Sequence, residues 1–231
     1  MRLSIVIPTL NETARIEQTI RKSSALQPHE VIVADGQSQD GTGELAQSAG
    51  ATVVTSEPGR GRQLNAGARA ASGDVLLFLH ADCWLEPPAA EQIETALQNE
   101  TVVGGAFRQR IDHDRRVFRW LERGNTARAR WRRMPYGDQG IFVRRSAFEA
   151  VGGFAEVRLM EDVLLMREFR RRRWRMELLP GPIHVDPRRW LKHGVFRQTI
   201  RNWTLLTGLT LGVSPDRLAE FYPPNSVVPE R

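Results

Sequence analysis

The alternation of apolar and polar segments predicts an α/β fold built on a mainly parallel, doubly wound sheet flanked by helices. Short apolar runs rich in β-branched residues recur through the first hundred residues: Leu3–Ile7, Glu30–Ala34, Thr52–Thr55 and Val75–Leu79. Helix-like stretches separate them, and polar turns follow three of the four. A β-α-β-α-β-α-β order favours parallel strands joined by right-handed crossovers. Ligands of such sheets sit beyond the carboxyl ends of the strands, which gathers segments 8–12, 35–42 and 80–82 at one edge.

The elements follow in order. Pro8 and Asn11 end the first strand, and Asn11-Glu12 is suited to cap a helix running to about Ser24. The turn Asp35–Thr42 follows the second strand and precedes a helix near Gly43–Ala49. A Gly/Arg loop, Pro58–Arg62, leads into an alanine-rich helix from about Gln63 to Ala71. Val75–Leu79 ends at His80-Ala81-Asp82. Past Pro87-Pro88 a helix runs to about Asn99, then a strand over Val102–Arg110. Residues 112–133 form an arginine-rich helical region with Trp120 and Trp131. A turn over Pro135–Gly140 precedes a strand at Ile141–Val143. Gly152-Gly153-Phe154 is a further turn, Met160-Glu161-Asp162 opens a helix to about Arg172, and Arg189–Phe221 reads as one or two helices.

The 231 residues are 41% hydrophobic and 26% charged, too apolar for wholesale disorder and sufficient for a core. At roughly 100–200 residues per domain, one large or two small domains fit. The longest uncharged stretch, Asn202 to Pro215, is shorter than the ~18 residues that suggest a spanning helix. Ile5-Val6-Ile7 runs into Pro8, unlike a signal peptide, and the single Cys83 excludes an internal disulfide framework. A cytoplasmic protein is expected.

The net charge is +6, and every basic side chain except Lys22 and Lys192 is arginine. Residues 1–105 carry 7 basic and 13 acidic side chains, whereas residues 106–231 carry 26 and 14. An acidic front and a basic back suggest that the back faces an anion: phosphate, nucleic acid or an anionic lipid surface. Arginines spread over a solvated surface would give the same counts.

Asp35 lies just past a buried strand, where a carboxylate can accept hydrogen bonds from a nucleobase or ribose; an Asx-turn is the plainer reading. Asp40, before Gly41-Thr42, reads as a helix cap. Asp82 follows an apolar strand and His80, and the pair could hold Mn2+ or Mg2+ on a diphosphate; a capping Asp and a satisfied histidine are the alternative. Asp162 could act as a general base for a hydroxyl, or favour the helix N-terminus electrostatically. Gly59–Arg62 could cradle phosphate but lacks the Lys-Ser/Thr ending of a Walker A loop.

Together these segments resemble the family 2 glycosyltransferases of GT-A fold over most of residues 3–185. Ser4–Glu12 looks like the family's strand-Pro-x-x-Asn-Glu opening. Glu30–Thr42, EVIVADGQSQDGT, is similar to its strand followed by Asp-Asp-Gly-Ser-Thr-Asp-Gly-Thr. Gln63–Gly67 and Ser72-Gly73-Asp74 precede Leu77–Asp82, where the family carries Asp-x-Asp. Arg144-Arg145, Val151–Phe154 and Glu161-Asp162 match later segments. His80 stands at the first Asp of Asp-x-Asp, Gly36 at the second acid of the base-binding pair, and Leu64 at an expected arginine that Arg62 could replace. His-Ala-Asp, GRGRQLNAGA, Gly137-Asp138-Gln139 and the tail Arg188-Arg189-Trp190 resemble a short bacterial subgroup.

The resemblance implies transfer of a sugar from a nucleotide-diphosphate donor to a hydroxyl acceptor, usually with inversion. It places Asp35 at the base and implies a divalent cation on Asp82 with His80, and Asp162 as general base. Pro8, Asn11, Glu12, Arg62, Asn65 and Ala81 complete the donor side, with Asp138, Gln139 and Glu161 on the acceptor side. A GT-A-like domain is expected over 1–187, divided at 105 into a nucleotide-sugar half and an acceptor half, with a helical extension over 188–231. The acceptor could be anionic or lipid-linked. Nucleic acid is not expected, because the acidic front repels phosphate. Trp203, Leu205, Leu206, Leu209 and Leu211 with Arg197 and Arg201 suit an amphipathic helix that packs on the core, forms a homodimer or touches the inner membrane surface. The rival reading is a GT-A-fold nucleotide-binding or nucleotidyl-transfer protein without glycosyl transfer.

Overall fold

A computed structural model describes residues 1–221. Eight strands form one mixed sheet: β1 (Leu3–Thr9), β2 (Glu30–Asp35), β3 (Thr52–Thr55), β4 (Val75–Phe78), β5 (Cys83–Leu85), β6 (Val102–Ile111), β7 (Ile141–Arg144) and β8 (Arg175–Val185). Their spatial order is β3-β2-β1-β4-β7-β6-β8-β5. The first four strands are parallel, with Thr9 beside Asp35 and Val6 beside Phe78. β7 runs antiparallel to both β4 and β6, β8 is parallel to β6, and β5 caps the far edge antiparallel to β8. The expected parallel sheet is therefore the first half of a longer, mixed one.

Among the described residues ten α-helices accompany the sheet: α1 (Ile16–Ser24), α2 (Thr42–Ser48), α3 (Arg60–Ala70), α4 (Pro88–Leu97), α5 (Arg116–Arg132), α6 (Arg145–Ala150), α7 (Glu161–Arg171), α8 (Arg188–His193), α9 (Val195–Thr210) and α10 (Pro215–Ala219). Two local expectations are corrected. Asn11 does not cap α1: it sits at φ 55°, its side chain accepts the Gln39 N–H, and a turn delays the helix to Ile16. Pro58–Arg62 is not all loop, because α3 starts at Arg60 and takes three of its five residues into the helix.

Alternate side chains of each strand face opposite sides of a sheet, and this sheet separates two cores. Leu3, Ile5, Ile7, Val75 and Leu77 pack with Ile16 and Ile20 of α1 and Ile93 of α4. Val6, Leu76 and Phe78 pack with Leu64 of α3, Phe148 of α6, Met166 and Phe169 of α7, and Leu205 and Leu209 of α9. The close seat of α3 depends on Gly67, where an added Cβ would fall 2.4 Å from a Val6 methyl. The tail thus packs on the core through one face of α9. Residues 222–231 of the expected 188–231 extension lie outside the described residues.

Candidate functional site

β4 stops at Phe78 and the chain turns at once, closed by the Cys83 N–H donating to the His80 carbonyl at 3.0 Å. The turn replaces the extended backbone expected for His80 and Asp82. It nevertheless brings a His80 nitrogen, an Asp82 oxygen and the Cys83 sulfur within 4.8 Å of one another.

Opposite stands the first turn of α7, entered through Met160 at φ 67°. Asp162 accepts the Gly137 N–H at 2.6 Å and the Val163 N–H at 2.7 Å, which fixes its orientation. Gly137 is where the two walls meet. A Cβ there would lie 2.7 Å from His80 Nε2 and 3.3 Å from Asp162 Oδ2, so only glycine allows this approach. Neighbouring Glu161 is buried and paired with Arg60 through both carboxylate oxygens. Asp138 accepts from Gln109 Nε2 at 2.8 Å, while its other oxygen is buried with no hydrogen-bond partner among the described residues.

The third wall comes from the tail. Arg188 Nη2 lies 3.2 Å from both Asp82 Oδ2 and Glu12 Oε1. Arg189 and Trp190 of α8 and Gln198, Asn202, Leu205 and Leu206 of α9 line the same cleft of about 150 Å³ as His80, Asp82, Asp138 and Asp162.

The charges are set by position. Burial, then the positive Arg60, lowers the His80 imidazole to about 4 against the pull of Asp82, so at neutral pH it is uncharged. Burial opposes ionisation of Asp82, yet Arg189, His80 and Arg188 outweigh it and hold its carboxyl below the ordinary value. Burial raises the Asp138 carboxyl, against Arg128 and the Gln109 hydrogen bond. Burial also raises Glu161, with Asp162 adding to it and Arg60 opposing. The Cys83 thiol is pushed well above its usual value, first by burial and then by Asp82.

These states decide which groups fit a cation. A neutral imidazole beside an ionised carboxylate suits a divalent ion, and the mixed nitrogen and oxygen set suits Mn2+ better than Mg2+. The Cys83 sulfur is a third candidate ligand atom beside them. The unsatisfied Asp138 oxygen is a further acceptor in the same cleft.

His80, Asp82, Asp138 and Asp162 of the expected set line this cleft, and Glu161 adjoins it through Arg60. The others stand elsewhere. Asp35 is held in an Asx-type turn, accepting from Thr9 Oγ1 and from both the N–H and hydroxyl of Ser38. Pro8, Asn11 and Glu12 lie nearby, at and beyond the end of β1, with Glu12 reaching Arg188. Gln63 covers Gly36, donating to the Thr9 and Ala34 carbonyls at 2.6 and 3.1 Å. Asn65 clamps the Phe154 backbone with two bonds of 2.9 Å, and Arg62 pairs with Glu156. The Ala81 carbonyl accepts from Thr19, and Gln139 is fully buried, accepting from Arg128. Sequence reasoning missed Tyr136, Gln198 and Asn202 as cleft residues and left Arg189 in a tail motif. The Arg-Arg-Trp run was the one signal available, because the others come from segments with no recognisable spacing.

The Glycosyl transferase family 2 model matches residues 4–159. The chain is 26% identical over 219 residues to a probable glycosyltransferase, YdaM, of Bacillus subtilis, covering 82% of this chain and 52% of that protein. Over 92 residues it is 38% identical to glucosyl-3-phosphoglycerate synthase of Mycobacterium tuberculosis, covering 35% of this chain and 28% of that protein. A crystal structure of that enzyme with Mn2+, UDP and glucosyl-3-phosphoglycerate superposes with a TM-score of 0.59 at 22% identity, covering 80% of this chain and 70% of that one. TarS (residues 1–349) of S. aureus gives a TM-score of 0.61 at 16% identity, covering 81% and 61%. The chain spans about half, or less, of the curated relatives it matches. The fold is that of the GT-A enzymes, and the chain belongs to glycosyl transferase family 2.

Proposed function

We propose that the chain transfers a sugar from a nucleotide-diphosphate donor to a hydroxyl acceptor, with inversion and with Asp162 as the base. The observation that carries this is the meeting of His80, Asp82 and Asp162 in one cleft around Gly137. The Mycobacterium tuberculosis relative crystallised with Mn2+ and UDP supports a nucleotide-diphosphate and a cation here.

The nucleoside lies toward the ends of β1 and β2, where Asp35, Asn11 and Glu12 stand, and its diphosphate reaches His80 and Asp82. His80 and Asp82 would hold a divalent cation, which when bound would offset charge on the leaving diphosphate. Arg60 and Arg189 line the same cleft and add positive charge there. The acceptor oxygen attacks the anomeric carbon from the opposite side and its proton passes to Asp162. The bond between that carbon and the diphosphate oxygen breaks, and its electron pair leaves with the nucleoside diphosphate. Asp138 faces the acceptor, while Glu161 and Gln139 act through Arg60 and Arg128 as positioning residues. Residues 1–105 serve the donor, and 106–187 the acceptor. Arg189 beside Trp190, Leu205 and Leu206 suits an acceptor with a phosphate next to apolar groups.

A thermal-shift series with UDP, GDP, dTDP, CDP and ADP, each with and without Mn2+, tests the donor site. One nucleotide should raise Tm by several degrees only with Mn2+, since a ligand at 100 times its Kd adds about 2.7 kcal/mol. With the matching sugar donor, Asp162→Asn should lower kcat by about 10²–10⁴ while leaving the nucleotide shift intact. No shift with any nucleotide overturns the donor site. Release of pyrophosphate instead of nucleoside diphosphate replaces glycosyl by nucleotidyl transfer.

A further inference from the structure

Large apolar side chains exposed on this molecule are concentrated in one region. Among the described residues, Trp120 and Trp131 of α5, Leu191 of α8, Phe196, Ile200 and Trp203 of α9, and Leu211 and Phe221 just beyond are exposed; elsewhere only Met1 and Leu10 are. Phe196, Ile200 and Trp203 are 77%, 64% and 69% exposed, and their i, i+4, i+7 spacing puts them on one face of α9. Gln198, Leu205 and Leu209 on the opposite face are buried. α9 therefore has two apolar faces, and the core accounts for only one. On α5, Trp120 and Trp131 lie three turns apart on the solvent side, with exposed Arg116, Arg123 and Arg130 around them. α5 and α8 are neighbours, joined by Phe118 against Trp190 at 6.1 Å.

The charge of the region identifies its partner. Residues 188–210 contain no acidic side chain, and Lys192 and Arg197 among their basic ones are exposed, whereas Arg188 and Arg189 face the cleft. Four of the six arginines of α5, Arg116, Arg123, Arg130 and Arg132, are exposed, and its one acid, Glu122, is taken up by Arg119 and the Ile111 N–H. A second copy of the same face would set arginines against arginines, because a two-fold interface pairs each patch with itself. A nucleic acid would be met by the arginines but would leave Phe196, Ile200 and Leu211 in water. An anionic bilayer satisfies both: aromatic and aliphatic side chains enter the headgroup boundary while arginines meet lipid phosphates. No helix among the described residues is long and apolar enough to cross a membrane, so the contact lies along the surface.

We propose that α5, α8 and α9 form a docking face for an anionic lipid bilayer, with the Phe196–Ile200–Trp203 stripe inserted at the interface. The cleft-lining face of α9 then lies one helix diameter from the lipid, about 10 Å.

Co-sedimentation with phosphatidylglycerol/phosphatidylcholine vesicles, against phosphatidylcholine alone, tests the proposal. The wild type should sediment at least fivefold more with the anionic vesicles, and 0.5 M NaCl should reduce but not abolish binding. The triple variant Phe196→Ser/Ile200→Ser/Trp203→Ser should lose at least fivefold of the bound fraction while keeping the wild-type circular dichroism spectrum and Tm. Arg116→Gln/Arg123→Gln/Arg130→Gln should lose the preference for anionic lipid. Equal sedimentation with both vesicle types, or unchanged binding of the serine variant, overturns it. So does a wild-type dimer that the serine variant converts to monomer, or tighter binding of an RNA oligomer than of the vesicles. The nucleotide thermal shift reads the donor site separately, so either proposal can fail alone.

Discussion

Replacing Arg60 with alanine strands a carboxylate. Glu161 is 1% exposed and its carboxylate is held by the Arg60 guanidinium from two nitrogens. Removing one partner of a buried ion pair costs about 3–5 kcal/mol. The Arg60 side chain is 31% exposed, which places the expected loss at the lower end, about 3 kcal/mol at pH 7.5. For a chain of this size each kcal/mol moves Tm by about 2–4 °C, so a fall of about 6–12 °C is expected. The loss should depend on pH. Burial already raises the Glu161 carboxyl above its ordinary 4.5, and Arg60 is the main influence opposing that rise. Without Arg60 the folded-state value climbs further. A carboxyl raised on folding costs nothing while both states are protonated, and the cost grows as pH rises from the unfolded value to the folded one. The deficit of Arg60→Ala against wild type should therefore be smaller at pH 5 than at pH 7.5. Adding Glu161→Gln should recover most of it at pH 7.5. Thermal unfolding of the three proteins at both pH values is the assay. An equal deficit at the two pH values, or no recovery with Glu161→Gln, refutes the reasoning.

Arg188 bridges Asp82 and Glu12 and competes with any cation for the same carboxylate. Arg188→Ala should therefore bind Mn2+ about tenfold more tightly, equivalent to ~1.4 kcal/mol, read as a larger Mn2+-induced Tm rise than in wild type; an equal or smaller rise counts against Asp82 as a ligand. Gly67→Ala should cost about 1–3 kcal/mol by forcing α3 off β1, and Val6→Ala in the same chain should return part of it, because the clash is with a Val6 methyl.

The first half of the fold was legible because each parallel strand is a short apolar run flanked by turn residues. β8 was not: Pro180, Gly181 and Pro182 interrupt Arg175–Val185 and read as a turn. They are tolerated because the pairing of β6 with β8 is irregular there, between Phe107 and Gln109. β5 is three residues long and carries no periodic signal. In the site, Asp82 and Asp162 were legible because acids at the ends of apolar elements need a reason to be there. Asn65 and Gln139 look chemical in sequence, yet one clamps the Phe154 backbone and the other anchors Arg128. Short-range patterning does not separate an amide that binds a ligand from one that ties two segments together. The wall from α8 and α9 depends on a chain reversal more than a hundred residues after Asp82, which no local pattern encodes.

The side chain of Gln63 has a consequence for how this site can change. Its amide nitrogen is committed to the carbonyls of Thr9 and Ala34, tying α3 to the ends of two strands. A side chain at position 36 would meet that amide at 2.9 Å. An acid at 36 alone would displace the Gln63 amide and break its bonds to the Thr9 and Ala34 carbonyls, leaving Thr9 with only the Gly36 N–H. A smaller residue at 63 alone would open a gap beside Gly36. Positions 36 and 63 are therefore coupled, and under the proposed donor site a redesign of base preference starts from the pair.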